Sequence, residues 1–139
     1  LLISAIAVMD DVRRAVSMYA KEAGEAVYVV GMTFDELGGS HYFEQTGHIG
    51  NAVPKVYPRK AKQIFRALSK AASAGLVSAM HDCSEGGIGV AVAEMAFAGG
   101  RGMEIFLAEV PYTVQSQASN SQRNDYILFS ESNLKPCFS

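Results

Sequence analysis

The sequence has little of what marks membrane, secreted or nucleic-acid-binding proteins. No apolar run is long enough to cross a bilayer, and the apolar start at residues 1–9 lacks the basic region and cleavage site of a signal peptide. Lys and Arg number 12 against 14 Asp and Glu, and the net charge of -2 provides no electrostatic attraction for nucleic acid. We therefore expect neither a membrane nor a nucleic acid among the partners of this protein.

Cysteine is also scarce, which argues against a fold held together by disulfides. The chain has 2 cysteines, Cys83 and Cys137, too few for a disulfide framework. His81 is close to Cys83 in the sequence, but His41 and His48 are not at zinc-ligand spacing from them. The sequence therefore predicts a cytoplasmic protein, kept in a reducing compartment, without a structural zinc site.

The length suits one domain with a core of its own. A chain of 139 residues, 49% of them hydrophobic, is globular, and a chain near this length buries roughly 68–70% of its unfolded surface. The chain starts at Leu1, without Met and directly in an apolar segment. From this start we expect part of a longer protein, which need contain only part of an active site.

Strand-like and helix-like segments alternate along the chain. The clearest helix is predicted at residues 58–74, where one apolar stripe follows Pro58 at the first helical position and Gly75 follows the last turn. A second helix, apolar nearly all round and therefore expected between two layers, is predicted at residues 86–98. Strands are predicted at residues 1–8, 26–30 (buried), 76–81 and 103–107. This alternation predicts an α/β or α+β fold with helices packed on a mixed sheet.

Two long segments have no sustained period. Residues 33–50 contain several glycines and polar groups, and we expect an irregular loop of a size that suits a ligand, with one helical turn after Asp35. Residues 114–124 are rich in Ser, Gln and Asn and predict a surface loop or disordered link.

A polar turn between the third predicted strand and the second helix is the most informative stretch. It runs His81-Asp82-Cys83-Ser84-Glu85-Gly86-Gly87. Outward backbone N–H groups at a helix start can bind phosphate, and the carboxylates of Asp82 and Glu85 can hold magnesium. The alternative is structural: Asp82 and Glu85 have the spacing of a capping box, and the glycines then serve only close helix–sheet packing. The spacing leaves both interpretations open.

Three segments taken together carry a family resemblance. They are Asp35-Glu36-Leu37-Gly38-Gly39-Ser40, the His81 turn with its following helix through Ala96, and Leu128-Phe129-Ser130-Glu131-Ser132. In this order they resemble the phosphoribosylformylglycinamidine synthase family, within the aminoimidazole ribonucleotide synthetase-like superfamily. The resemblance covers residues 1–132. More specifically, these residues resemble the second C-terminal-type domain of the synthetase subunit.

The resemblance implies a domain at residues 1–132 and an atypical tail at residues 133–139. The family pattern continues after its Ser-Glu-Ser segment through an Arg into an apolar closing strand. Here the tail contains Pro136, and proline opposes a central strand because it has no N–H to donate. We therefore expect the closing strand to be absent and any role of the Glu131 region to be doubtful.

The resemblance also implies a function: an ATP-dependent ligase of purine biosynthesis that turns an amide into an amidine, with ATP and Mg²⁺ as cofactors. The implied partners are an N-terminal-type domain of the same chain, a glutaminase subunit, a small accessory subunit and a second copy in a homodimer, and the isolated fragment is expected to be inactive. Asp82 is the implied metal ligand, and no catalytic residue is assigned. The implied substrate- and phosphate-binding residues are Gly38, Gly39, Ser40, Ser84, Gly86 and Gly87.

Other functions compete with this one. The chain can belong to another ATP-dependent synthetase of the same superfamily. It can also be an architectural or docking domain, because a helix that is apolar nearly all round needs a cover. For Ser40 the structural alternative is a hydroxyl that stabilises a turn.

Overall fold

The computed structural model describes residues 4–113, 120–133 and 135–139. Short strands and longer helices alternate within these residues. In chain order they are a 3-10 turn at Val12–Arg14, strand β1 at Tyr28–Val29, strand β2 at Thr33–Phe34, helix α1 at His41–Gln45, helix α2 at Pro58–Ser73, strand β3 at Met80–Asp82, helix α3 at Gly87–Ala98, a 3-10 turn at Leu107–Glu109, strand β4 at Tyr112–Thr113, helix α4 at Asn120–Phe129 and strand β5 at Pro136–Phe138.

The strands pair in two small sheets. β5 lies between β1 and β3 and is antiparallel to both, with Tyr28 opposite Phe138 and His81 opposite Cys137. β2 and β4 form a separate parallel pair, with Thr33 opposite Tyr112. Antiparallel and parallel pairing thus occur together with packed helices, and the predicted α+β class with mixed strands is confirmed.

Helix α2 begins and ends as its sequence predicts. Pro58 occupies the first turn, Ala61 and Leu68 are the buried members of the apolar stripe, and Ala74 caps the end. Gly75 then adopts a φ of 69°, the left-handed conformation that terminates many helices. The prediction for residues 58–74 is confirmed. No helix in the described ranges combines the length and the apolar character needed to cross a membrane.

Helix α3 provides one side of the core. It packs against α4 and against the sheet strands β3 and β5, and the core consists of Ala79, Cys83, Ile88, Ala91, Val92, Met95, Val110, Ile127 and Cys137. On its outer side, Phe97 is 76% exposed. The predicted helix is therefore confirmed, whereas burial on all sides is wrong: within the described residues only one side of α3 is covered.

All four predicted strands differ from the structure because a strand needs a partner as well as a propensity, and the strand expected at residues 76–81 is reduced to β3 at Met80–Asp82. Residues 4–8 form no strand, and Ile6 and Val8 are almost fully exposed; residues 1–3 lie outside the described ranges. Residues 103–106 pair with no strand in the described part of the chain, and Leu107 begins a 3-10 turn. The strand expected at residues 26–30 shrinks to β1, where Tyr28 is 59% exposed at the edge of the sheet.

Both segments without a period contain regular structure. Residues 33–50 include β2 and α1, so the helical turn expected after Asp35 begins at His41. Residues 114–119 lie outside the described ranges, but residues 120–124 are the start of α4 and not a loop. Residues 122–124 are exposed, and the burial of Ile127 in the core shared with α3 stabilises α4 as a whole.

The tail forms the central strand, contrary to the expectation drawn from Pro136. Pro136 is the first residue of β5, a position where a proline is tolerated. Its carbonyl accepts the N–H of Val30 at 3.0 Å, and the carbonyl of Lys135 accepts the N–H of Cys83 at 3.1 Å. The missing N–H of the proline therefore costs the sheet little, since the strand joins both neighbours through its carbonyls at this end.

Candidate functional site

A large cleft lies where the end of β3 meets helix α2 and the tail. It has a volume of about 1100 Å³. Its walls come from residues 8–16, from one side of α2, from residues 80–85 and from four residues near the C-terminus, namely Glu131, Asn133, Lys135 and Pro136. The polar turn after β3 therefore faces a cavity large enough for a nucleotide-sized ligand.

Asp82, Ser84 and Glu85 are the predicted site residues that line this cleft. The Asp82 side chain is 74% exposed and accepts a short hydrogen bond from the hydroxyl of Ser84. That hydrogen bond, with a smaller contribution from nearby His81, lowers the pKa of the Asp82 carboxyl below its ordinary value. The carboxylate is therefore ionised and available to a cation at neutral pH.

His81 connects Asp82 to helix α3. Its Nε2 lies 2.7 Å from Oε2 of Glu94 on helix α3, and its Nδ1 lies 3.3 Å from Oδ1 of Asp82. The imidazole side chain is 16% exposed. It thus links the cleft-facing carboxylate to the core helix behind it.

Gly86 and Gly87 close the other end of the turn. Gly86 is the N-cap of α3 with a φ of 74°, and its N–H donates to Oε1 of Glu131 at 2.9 Å. A Cβ on Gly87 would lie 2.7 Å from the carbonyl oxygens of Leu128 and Ser130. These glycines lie outside the cleft lining, and their positions are set by close backbone packing.

The capping-box interpretation of this turn is wrong. Helix α3 starts at Gly87, its N-cap is Gly86, and no side chain caps it. Asp82 and Glu85 therefore precede the cap and do not form the reciprocal pair that a capping box requires.

Gly38, Gly39 and Ser40 lie away from the cleft and are bonded within their own loop. The N–H of Gly38 donates to the carbonyl of Ala52 at 2.8 Å, and a Cβ there would lie 2.8 Å from that backbone. The Ser40 hydroxyl caps α1 by accepting the N–H of Phe43 at 3.2 Å, and it donates to the Leu37 carbonyl at 2.7 Å. In this structure the Ser40 side chain serves the turn and the cap.

Glu131 connects the two glycine turns and was not assigned a role from the sequence. Its Oε1 accepts the N–H of Gly86 at 2.9 Å and the N–H of His41 at 3.1 Å. The flanking residues Ser130 and Ser132 are buried, and their hydroxyls accept the N–H groups of Glu36 and Phe34. The sequence does contain a signal for this role: three hydrogen-bonding side chains, Ser-Glu-Ser, follow an apolar run.

Lys135 is the second residue that sequence reasoning missed. It is 2% exposed, and its ammonium donates to the Ser130 carbonyl at 2.7 Å. Burial lowers the pKa of Lys135 to about 8, although the neighbouring thiols and the carboxylates of Glu36 and Glu131 oppose this shift. At neutral pH the side chain therefore remains mostly charged, and it adds a cation to the lining of the cleft.

A family model matches most of the chain. Residues 22–134 match the family described as AIR synthase related protein, C-terminal domain. The chain belongs to this family. The family resemblance inferred from the three segments is thereby confirmed.

Curated relatives of this family member are much longer proteins. A phosphoribosylformylglycinamidine synthase subunit PurL from Methanothrix thermoacetophila is 35% identical over 133 residues, which is 94% of this chain and 16% of the relative. The chain therefore spans about a sixth of the length of the relative.

Solved structures of the same name share the fold. Thermotoga maritima PurL complexed with FGAR matches 91% of this chain and 21% of its own chain, with a TM-score of 0.73 and 23% identity. T. maritima PurL complexed with ATP matches 91% and 19%, with a TM-score of 0.67 and 21% identity. At these identities the matches establish the fold of the domain, and they do not assign roles to its residues.

The side chains of this domain suit Mg²⁺ only if waters and the phosphates of a ligand complete its coordination. The described residues contain no group of three or more His, Cys, Asp or Glu side chains placed to hold a metal. Asp82 and Glu85 each contribute a carboxylate to the lining of the cleft, and the Oε1 of Glu131 already accepts two backbone N–H groups. Mg²⁺ is commonly bound by one or two carboxylates together with waters and substrate phosphates, so Asp82 suits such an arrangement.

Proposed function

We propose that this chain forms one wall of the substrate and phosphate site of an ATP-dependent formylglycinamidine ribonucleotide synthase of purine biosynthesis. Membership of the family and the name shared by its relatives support this proposal. The observation that carries it is the convergence of Asp82, Ser84 and Lys135 on one cleft. A carboxylate, a hydroxyl and an ammonium are the groups that a metal–phosphate ligand needs.

Each of these side chains has a distinct task in the proposal. Lys135 would donate a hydrogen bond to a phosphate, and Asp82 would hold Mg²⁺ together with the phosphate oxygens. The Ser84 hydroxyl, which here donates to Asp82, would turn toward the phosphate once Mg²⁺ occupies the Asp82 carboxylate. ATP supplies the phosphoryl group that activates the amide oxygen, so that ammonia can displace phosphate and form the amidine. Because phosphoryl transfer is catalysed mainly by positioning and electrostatic stabilisation, these residues bind and orient the ligand and none is assigned a covalent role.

The remaining parts of the enzyme come from outside this chain. The chain spans 16% of its curated relative, so we propose that an N-terminal-type domain of the same protein forms the opposite wall. A glutaminase subunit would supply ammonia, with a small accessory subunit and a homodimer as further assembly partners in the cytoplasm. The isolated chain is accordingly expected to be inactive toward ATP.

An architectural role is the second candidate, and one observation favours it. The N–H groups of Gly38 and Gly86 donate to Ala52 and Glu131, so neither is free to meet a phosphate. In that case both glycine turns serve packing and the domain supports a site elsewhere. Another ATP-dependent synthetase of the superfamily would use the cleft residues in the same way with a different substrate.

Two substitutions in the complete enzyme test the proposal. Asp82→Asn and Ser84→Ala should each reduce amidine formation by about 10²–10³-fold, the usual effect of removing one electrostatic partner of a transition state. The melting temperature should barely change, because the Asp82 side chain is mostly exposed. ADP release that depends on both substrate and ammonia is the appropriate assay.

The exposed carboxylate of Glu104, outside the cleft lining, offers a matched control through Glu104→Gln. Its rate should equal that of the unmodified enzyme. Normal rates for Asp82→Asn and Ser84→Ala would reject the phosphate site and leave the architectural role.

A further inference from the structure

The two cysteines of the chain lie against each other in the core. The Sγ atoms of Cys83 and Cys137 are 3.1 Å apart, and both thiols are free. Cys83 is 5% exposed and Cys137 is fully buried. They are the 2 cysteines of the whole sequence, and yet 54 positions separate them along the chain.

Sheet register brings these thiols together. His81 lies opposite Cys137 in the antiparallel β3–β5 pair, and the N–H of Cys83 donates to the Lys135 carbonyl at 3.1 Å. Side chains two residues apart on a strand point to the same face. Cys83 therefore extends from the same face as His81, diagonally across from Cys137, and three paired residues on β3 fix this register.

We propose that Cys83 and Cys137 form a redox modification site that closes into an intramolecular disulfide when a peroxide enters the adjoining cleft. The two sulfur atoms need to approach by about 1 Å to reach the usual bond length of about 2.05 Å. Neighbouring paired strands can accommodate this movement by side-chain rotation and a small shift at the end of β3.

The reaction balances with hydrogen peroxide as the oxidant. The thiolate of one cysteine attacks the peroxide, breaks the O–O bond and becomes a sulfenic acid, while the departing hydroxide takes up a proton and leaves as water. The sulfur of the other cysteine then attacks the sulfenic sulfur, the S–S bond forms, and the S–O bond breaks with loss of a second water. Two thiols are oxidised, and one peroxide is reduced to two waters.

The surroundings leave one side of the cysteine pair accessible. Cys83 contributes to the lining of the cleft, so a small oxidant can reach the pair from that side. The contact between the two thiols lowers the pKa of Cys137 and, together with burial, raises that of Cys83, so the proposal depends on the distance between the sulfur atoms and on access from the cleft.

The proposed disulfide would restrain the polar turn after β3. Cys83 stands between Asp82 and Ser84, and a disulfide would tie this part of the turn to the central strand β5. The closed loop is long, so oxidation should also raise the melting temperature by about 10 °C. This inference concerns the thiols themselves and holds whether or not the cleft binds a nucleotide.

The proposal is tested by oxidising the folded protein and analysing its peptides by mass spectrometry. After treatment with hydrogen peroxide and alkylation of free thiols, a non-reducing tryptic digest should contain the Cys83 and Cys137 peptides joined, with the mass of two hydrogens lost. Dithiothreitol should separate them and restore two alkylatable thiols. Cys83→Ser and Cys137→Ser are the matched controls, and neither should give the joined species.

Three results would overturn the proposal. They are alkylation of both thiols after peroxide treatment, oxidation of either sulfur to sulfinic acid without a joined peptide, and a bond formed only between separate chains. If a serine variant does not fold, the melting temperatures of reduced and peroxide-treated wild-type protein decide: a rise of about 10 °C reversed by dithiothreitol supports the bond, and an unchanged value rejects it.

Discussion

Two glycine-containing turns of this molecule look alike in sequence and differ in structure. The first turn, residues 38–40, is bonded within its own loop: Ser40 caps α1, and Gly38 is held against the backbone of Ala52. The second turn, residues 82–87, divides into an open half with Asp82 and Ser84 at the cleft and a closed half with Gly86 and Gly87 under Glu131.

The difference shows that glycine marks where backbones approach closely and does not by itself mark a ligand site. In both turns the glycines make contacts within the fold, and the residues that face the cleft are the polar side chains before Gly86. Substitutions that act on one turn and spare the other can therefore separate packing from binding.

The largest contrast is expected between Gly87→Ala and Gly39→Ala. Both glycines have positive φ, 64° and 71°, but a Cβ on Gly87 would meet backbone carbonyl oxygens at 2.7 Å, whereas a Cβ on Gly39 would meet nothing within 4 Å. We expect a loss of unfolding free energy of about 3 kcal/mol or more for Gly87→Ala and about 1 kcal/mol for Gly39→Ala. Urea unfolding measures both, and equal losses would contradict the close-packing account of the second turn.

The next effect concerns Lys135 beneath the second turn. Its pKa is lowered from 10.5 to about 8 by burial, so the unfolded chain binds more protons between these pH values and stability rises with pH across this window. Between pH 8 and 10.5, the unfolding free energy of the wild type should rise by about 2–3 kcal/mol relative to that of Lys135→Met. Exposed Lys62 offers the control Lys62→Met, which should follow the wild type throughout; a flat difference for Lys135→Met would show that the ammonium is not buried.

Glu131 joins the two turns, so its removal should weaken both. Glu131→Ala leaves the N–H groups of Gly86 and His41 without their acceptor, and we expect a loss of about 2 kcal/mol. Glu131→Gln retains an acceptor oxygen and should cost about 1 kcal/mol or less. Chemical unfolding with exposed Glu85→Ala as the control tests this order, and an equal effect of all three variants would refute the connecting role.

The smallest stability effect is expected for Asp82. The pKa of its carboxyl is lowered from an ordinary 3.8, chiefly by the Ser84 hydrogen bond, so any advantage over Asp82→Asn is present above pH 3.8 and is lost as the pH falls through the lowered value. Because the side chain is 74% exposed, the advantage at neutral pH should be below about 0.5 kcal/mol. Thermal unfolding at neutral pH and near pH 3 measures it, and a large loss would make Asp82 a structural residue.

Local pattern was sufficient for the two long helices. The stripe on α2 and its flanking Pro58 and Gly75 predict the observed ends to within one residue, and the apolar run of α3 does nearly the same. The signals were strong because a helix is formed by neighbours three and four positions apart. Strands were predicted less well: residues 103–106 have the composition of a strand and no partner strand in the described part of the chain.

The cleft side of the site was also partly visible from the sequence. Asp82 and Ser84 follow a strand and precede a helix, and the structure places both at the cleft. Lys135 was overlooked because Pro136 counted against the tail, although a proline at the first position of β5 only removes one donor.

The sequence by itself determined the two long helices α2 and α3, the polar turn after β3 and the family to which the chain belongs. Tertiary structure decided which backbone donors remain for a ligand. Glu131 takes the N–H of Gly86 from 45 residues away and that of His41 from 90 residues away. Only the folded chain brings these groups within hydrogen-bond distance, because their pairing depends on the packing of α4 and β5 and on no local period.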